Sequence, residues 1–285
     1  MKKPAKKSPK SSKFAEGEHI RVVPLHNPKP EYSIDELSKA RKGREEGDKS
    51  ELFDGKVHAA PLNAKLTYRA GALLPNVEVF TIFWGKLWGT NPASTQMMAD
   101  LNQFFTTILA GPLMDQLKEY SVPGQPIGYG KFTGTKVISA NAPVVSIADS
   151  AIQAQLKKWI AAKTAPKNNK NTLYFIYLDP GIVSIMGGSQ SCKSYCGYHN
   201  HTGKVYYAVM PYPTCSGCLG GMQAFDALTG TSSHELCEAI TDPVPGAGWY
   251  DDKNGEIGDI CAWNFKKIGI YNVQLEWSNA QNKCV

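Results

Sequence analysis

Between Ser233 and Pro243 the chain reads Ser-His-Glu-Leu-Cys-Glu-Ala-Ile-Thr-Asp-Pro, and this stretch constrains the fold more than any other. It has the pattern of a helix, with Thr231, Ser232 and Ser233 as N-cap residue types and Asp242-Pro243 as a stop. His234 and Glu238 are four residues apart, so on a helix they lie on one face, one turn from each other. That spacing lets two side chains grip one metal ion. Glu235 follows the first candidate ligand, as in the zinc-protease pattern His-Glu-x-x-His, with Glu238 standing where the second His would be. Two ligands do not make a site, so the fold has to bring a third from a distant segment. The alternative reading of the same three residues is a hydrogen-bonded polar helix face with no metal.

The surrounding sequence supplies strands and helices in mixture. Val77–Gly85, Thr172–Leu178 and Val205–Met210 are β-branched and aromatic runs that predict buried strands, and Tyr271–Trp277 alternates as a further strand. Ala93–Ala110 places Met97, Met98, Leu101, Phe104, Phe105 and Ile108 at helical spacing and ends at Gly111-Pro112. Leu113–Tyr120 predicts a short helix, Tyr129–Ser139 a Thr-rich strand pair, and Ser146–Ala162 another helix. Gly187–Asn200 reads as a Cys/Gly/Tyr loop; His199 and His201, two residues apart, are candidates to join a metal site, with exposed loop histidines the favoured reading. Trp249 and Trp263 read as core or cleft wall. The expected fold class is α/β (α+β): a mixed sheet with helices, residues 59–285 forming one domain.

Residues 1–58 read as a basic, poorly ordered segment rich in Lys, Pro, Ser, Glu and Gly. Residues 2–13 carry six lysines and no acid, so the formal charge of +6 belongs to this tail. No aromatic residues interleave those lysines, which argues against a specific nucleic-acid partner. No apolar run approaches about 18 residues, so no transmembrane helix is expected. The N-terminus has the charge of a signal peptide without its apolar region.

All seven cysteines lie after residue 190: Cys192, Cys196, Cys215, Cys218, Cys237, Cys261 and Cys284. Clustering of this kind suits disulfides in an oxidising compartment, or a structural metal site. The Pro/Gly-rich loops around Cys192/Cys196 and Cys215/Cys218 favour disulfides. The odd number leaves a thiol over, and Cys237, on the core face of the helix, fits that role. Cysteine usage therefore points outside the cell while the N-terminus shows no leader.

Several motifs occur in one order: Cys192-Lys-Ser-Tyr-Cys196-Gly-Tyr-His199, then Ser233–Pro243, Trp249-Tyr250, and Glu256-Ile-Gly-Asp259-Ile-Cys261. With Phe83-Trp84-Gly85 and Ser146-Ile147 before them, they resemble the exordium/phosphate-induced protein family over roughly residues 70–280. The resemblance implies a zincin-like frame and, for plant members, a secreted growth-associated protein with no settled enzymatic activity. This chain departs from the plant pattern in Cys237, where a small apolar residue is usual, and in its basic arm. In a zincin frame an edge strand precedes the metal helix and binds an extended peptide by strand addition. Val205–Met210 is placed to be that strand.

A catalytic zinc site needs three protein ligands, an open position for water and a general base. His234 and Glu238 are two candidate ligands, and Glu256 and Asp259 are the leading candidates for the third, with Asp242 behind them. Glu235 would be the base and Tyr250 a hydroxyl donor to a developing oxyanion. Two carboxylate ligands cancel the formal charge of Zn²⁺ and also suit Ca²⁺, Mg²⁺ or Mn²⁺. Two functions follow. One is a zinc-dependent peptidase acting on a peptide or protein. The other is a non-catalytic extracellular or cell-wall interaction protein that retains a structural ion.

Overall fold

The computed structural model describes residues 22–26 and 63–285. In chain order the strands and helices are β1 (Val22–Pro24), β2 (Thr67–Tyr68), β3 (Glu78–Trp84), α1 (Pro92–Ile108), α2 (Pro112–Leu117), β4 (Lys131–Ile138), β5 (Ser146–Ala148) and α3 (Asp149–Ala161). They continue with β6 (Thr172–Leu178), β7 (Val183–Met186), β8 (Ser189–Gln190), β9 (Tyr195–Thr202), β10 (Val205–Met210), α4 (Ser216–Leu219) and α5 (Ala224–Thr241). The chain closes with β11 (Trp249–Tyr250), β12 (Phe265–Ile268), β13 (Tyr271–Gln274), β14 (Trp277–Ser278) and β15 (Lys283–Cys284).

The main sheet has six strands in the order β1-β9-β10-β6-β3-β4. β10, β6, β3 and β4 pair in parallel, whereas β9 and then β1 pair antiparallel. β6 is buried along its whole length, as expected of a parallel strand covered on both faces. Its side chains alternate between two cores. Leu173, Phe175 and Tyr177 join Leu101, Phe104 and Phe105 of α1 and Leu236 and Ile240 of α5. Tyr174, Ile176 and Leu178 join Ile152, Leu156 and Trp159 of α3. The period of two along the strand thus produces an α/β/α sandwich. Each fully buried ring contributes roughly 1.5–3 kcal/mol; Phe105 and Phe175 meet at 4.6 Å between centroids.

The expected mixed α/β architecture is present, and several local expectations need correction. Residues 131–138 form a single edge strand, not a pair, and residues 146–148 are a strand with the helix starting only at Asp149. Gly187–Asn200 is not a loop. It contains β8 and most of β9, which turns back into β10 through Gly203 at φ 62°. β10 is interior, so Val205–Met210 is not an edge strand. Within the stretch read as poorly ordered, Val22–Pro24 forms the other edge strand, pairing with Tyr195–Tyr198 of β9. The rest of residues 1–58, apart from Leu25 and His26, lies outside the described residues.

Disulfides join Cys192 to Cys215, Cys196 to Cys218 and Cys261 to Cys284, and Cys237 is the buried free thiol. Three such bonds suit an oxidising environment. Among the described residues no helix is long and apolar enough to cross a membrane.

Candidate metal centre

The helix that carries the motif starts earlier than its sequence suggests. α5 begins at Ala224 with Gln223 as N-cap, so Ser233 lies inside it. Ser233 Oγ donates to the Gly230 carbonyl at 2.8 Å and accepts the Gln274 backbone N–H at 2.9 Å, tying the helix to β13. Gly230 lets the helix come close to the β12–β13 hairpin, because a Cβ there would lie 2.7 Å from the Phe265 ring and 3.3 Å from Asn272 Nδ2. At the C-terminus, the Asp242 carboxylate accepts the N–H groups of Gly246, Ala247 and Gly248 at 2.6, 3.1 and 2.6 Å. Asp242 is therefore a loop-folding cap that turns the chain back over the helix. It belongs to neither group of ligand atoms described below.

The returning loop and β9 supply the other components. His199 comes from β9, and Asp259 and Glu256 come from the loop around a single 3-10 turn (Asp259–Cys261). His199, His234, Glu235, Glu238 and Glu256 are each no more than 1% exposed.

His234 is fixed from behind. Gln274 Nε2 donates to the Gly258 carbonyl at 2.9 Å, which turns Gln274 Oε1 toward His234 Nδ1 at 3.0 Å. An amide oxygen only accepts, so Nδ1 carries the proton and the Nε2 lone pair of the neutral ring faces inward. Nε2 lies 2.8 Å from Glu238 Oε1 and 3.9 Å from Asp259 Oδ1. Nevertheless Nε2 makes no hydrogen bond, and Asp259 Oδ1 also has no partner among the described residues. Close approach without hydrogen-bond geometry is what ligands aimed at a common point show. His234, Glu238 and Asp259 thus form one group whose ligand atoms all lie within 4.8 Å of one another.

His199 is fixed in the same manner. Its Nε2 faces the Asp242 backbone carbonyl at 3.1 Å, and its Nδ1 faces Glu235 Oε2 at 3.0 Å and Glu238 Oε2 at 3.4 Å. His199, Glu235 and Glu238 form a second group within the same 4.8 Å limit. Glu256 lies in neither group. Its Oε1 is 3.5 Å from His199 Nε2, and neither of its oxygens has a hydrogen-bond partner among the described residues.

The protonation pattern reflects crowded negative charge. Burial opposes charge on both rings, yet Glu235 and Glu238 lift His199 to about 10, and Glu238 foremost lifts His234 well above the usual range. Burial would raise Glu238, but His234 and His199 hold it down to about 2. Burial, reinforced by Glu238, pushes Glu256 and Asp259 far up. Burial also raises Glu235, against the pull of His199. In the absence of a cation the cluster gathers protons.

Of the residues expected from sequence, His234, Glu235, Glu238 and Asp259 come together, Glu256 borders them, and Asp242 folds the loop. Tyr250 sits on β11 with the Arg69 guanidinium 4.7 Å from its ring centroid. His199 is the main correction: it is a buried strand residue, not an exposed loop one. The signal was present, since Tyr198 and Asn200 alternate with His199 and a Thr-Gly-Lys hairpin turn follows. Tyr198 and Asn200 point the other way, bonding Asp149 at 2.8 and 3.1 Å. Gln274 and Glu276 were also missed. Glu276 is fully buried with both carboxylate oxygens unpartnered among the described residues. The Cys192/Cys215/Cys218 grouping is accounted for by disulfides.

No family model and no curated protein matches the chain. The resemblance to the exordium/phosphate-induced family therefore gains no support from these comparisons. Among solved structures, metalloproteinase-II from Bacteroides fragilis is similar at 15% identity and a TM-score of 0.28, covering 57% of this chain. The match spans 43% of that protein, and a likeness this low carries no argument about fold or function.

Proposed function

We propose that this protein is a metal-dependent peptidase whose ion is held by His234, Glu238 and Asp259. The observation that carries the reading is the Gln274-fixed His234 ring, whose inward Nε2 meets two buried carboxylates without hydrogen-bonding to either. One nitrogen and two carboxylate oxygens fit Zn²⁺, and Mn²⁺ or Mg²⁺ follow from the same donors. A divalent ion bound there supplies Lewis acidity and a water of lowered pKa.

The chain's own residues supply the rest. Glu235 follows the first ligand on α5, and its Oε1 is unpartnered among the described residues, open to accept a proton. His199 holds Oε2 of the same carboxylate and so orients it. We assign Tyr250 the donation of a hydroxyl proton to the oxyanion. The substrate is an extended peptide, and with β10 interior, the strand that would receive it is β9, whose outer edge β1 now covers. Three disulfides favour an extracellular setting.

Deep burial of the cluster, down to the 5% exposed Asp259 side chain, favours a second reading, a structural ion in a non-catalytic interaction protein of exordium type. Elemental analysis with peptide-hydrolysis assays of wild type and Glu235→Gln separates the two. Bound metal with activity reduced on the order of 10²–10⁴-fold in Glu235→Gln supports the peptidase. Bound metal without hydrolysis in either protein supports the structural ion, and a Glu235→Gln variant as active as wild type overturns the mechanism.

A further inference from the structure

Glu238 presents one oxygen to each histidine: Oε1 lies 2.8 Å from His234 Nε2, and Oε2 lies 3.4 Å from His199 Nδ1. The two rings are set independently by groups that can only accept. Gln274 Oε1 fixes His234, and the Asp242 carbonyl fixes His199 with its proton on Nε2. In each ring the remaining nitrogen faces the carboxylates beside Glu238: it carries the proton that the cation-free cluster gathers, and once that proton leaves it offers a lone pair to a cation. A lone pair facing a carboxylate oxygen is repulsive unless a proton or a cation lies between them. Glu238 Oε2 and Glu235 Oε1 are buried without hydrogen-bond partners among the described residues, as are His234 Nε2 and Asp259 Oδ1.

We propose that the cluster is a binuclear centre, with two divalent cations bridged by Glu238. One lies among His234 Nε2, Glu238 Oε1 and Asp259 Oδ1. The other lies among His199 Nδ1, Glu235 Oε2 and Glu238 Oε2. The proposal rests on the metal reading above and extends it to a second ion. Charge balance favours two ions: Glu235, Glu238 and Glu256 are fully buried and the Asp259 side chain is 5% exposed, and one divalent cation offsets half the charge of these four carboxylates whereas two offset all of it. A carboxylate shared by two ions holds them at the roughly 3.5–4 Å of known two-metal sites. Glu235 keeps Oε1 free in this arrangement, so it can ligate through one oxygen and accept a proton through the other.

The test is stoichiometry. The full chain is stripped by chelator at neutral pH, reloaded with Zn²⁺ and analysed for zinc per chain, alongside His199→Asn and Glu235→Gln. The expected result is two zinc ions in wild type and one in each variant. One ion in wild type, unchanged in His199→Asn, overturns the binuclear centre and leaves the His234 site standing. No zinc in wild type overturns both. Electron paramagnetic resonance of the Mn²⁺-loaded wild type needs no variant: a spin-coupled pair supports the proposal, and an isolated-ion spectrum at saturation contradicts it.

Discussion

Gln274 Oε1 accepts the Nδ1 proton of His234 at 3.0 Å while Gln274 Nε2 donates to the Gly258 carbonyl at 2.9 Å, so one amide fixes both the ring and the loop carrying Asp259. Replacing Gln274 by Leu removes the acceptor and leaves a buried ring N–H without a partner. The expected cost is about 1–3 kcal/mol in stability. Metal affinity should fall about 10–100-fold, as for other groups that orient a ligating histidine. Calorimetric zinc titration and thermal melts check both. Unchanged affinity would mean that Gln274 does not set the tautomer.

Gly258 packs against the His234 ring, and a Cβ there would lie 2.8–2.9 Å from three ring atoms. Gly258→Ala should therefore push either the ring or the loop aside, costing about 1–3 kcal/mol and weakening metal binding. A variant that binds zinc as wild type does would show that the loop yields without disturbing His234.

Glu276 gives a prediction about pH. Burial lifts its carboxyl well above the usual range against the pull of His234, so the folded protein keeps it protonated where the unfolded chain ionises. A raised folded-state pKa contributes stability that is complete below the unfolded value and is lost as pH rises toward the folded one. Glu276→Gln removes that loss. Its stability relative to wild type should grow by about 1.4 kcal/mol per pH unit above about pH 4.5. Denaturant melts from about pH 5 to about pH 7 read the slope, and a difference independent of pH would contradict it.

β1 lies along the strand that carries His199, with Val22 and Val23 paired to Tyr198 and Gly197. The Pro24 carbonyl accepts the Trp263 indole N–H at 2.9 Å, linking β1 to the loop beyond Asp259. A chain lacking residues 1–26 should release zinc to a chelator several-fold faster and, if β9 is the peptide-binding edge, hydrolyse peptides faster. Release at the wild-type rate would place the access route elsewhere.

What the sequence showed and what it concealed divides along physical lines. The three central strands were legible because parallel strands buried on both faces read as unbroken β-branched and aromatic runs. α1 was legible because its apolar residues recur at helical spacing. The start of α5 was not: Thr231, Ser232 and Ser233 look like caps, and packing against β13 overrides that preference. His199 was hidden because glycine and cysteine in its neighbourhood suggest a loop, whereas β10 and β1 hold the segment as a strand on both sides. His234, Glu235 and Glu238 were visible through local spacing. Asp259 was separated from Glu256 only by tertiary structure, since both are buried acids three residues apart.

In the proposed site His234, Glu238 and Asp259 converge on one ion. Anomalous diffraction at the zinc edge from crystals of the zinc-loaded chain tests it most directly. An anomalous peak is expected about 2.0–2.2 Å from His234 Nε2 and from a carboxylate oxygen of each of Glu238 and Asp259. A fully zinc-loaded crystal with no peak beside His234, or with peaks only at surface residues, would contradict it.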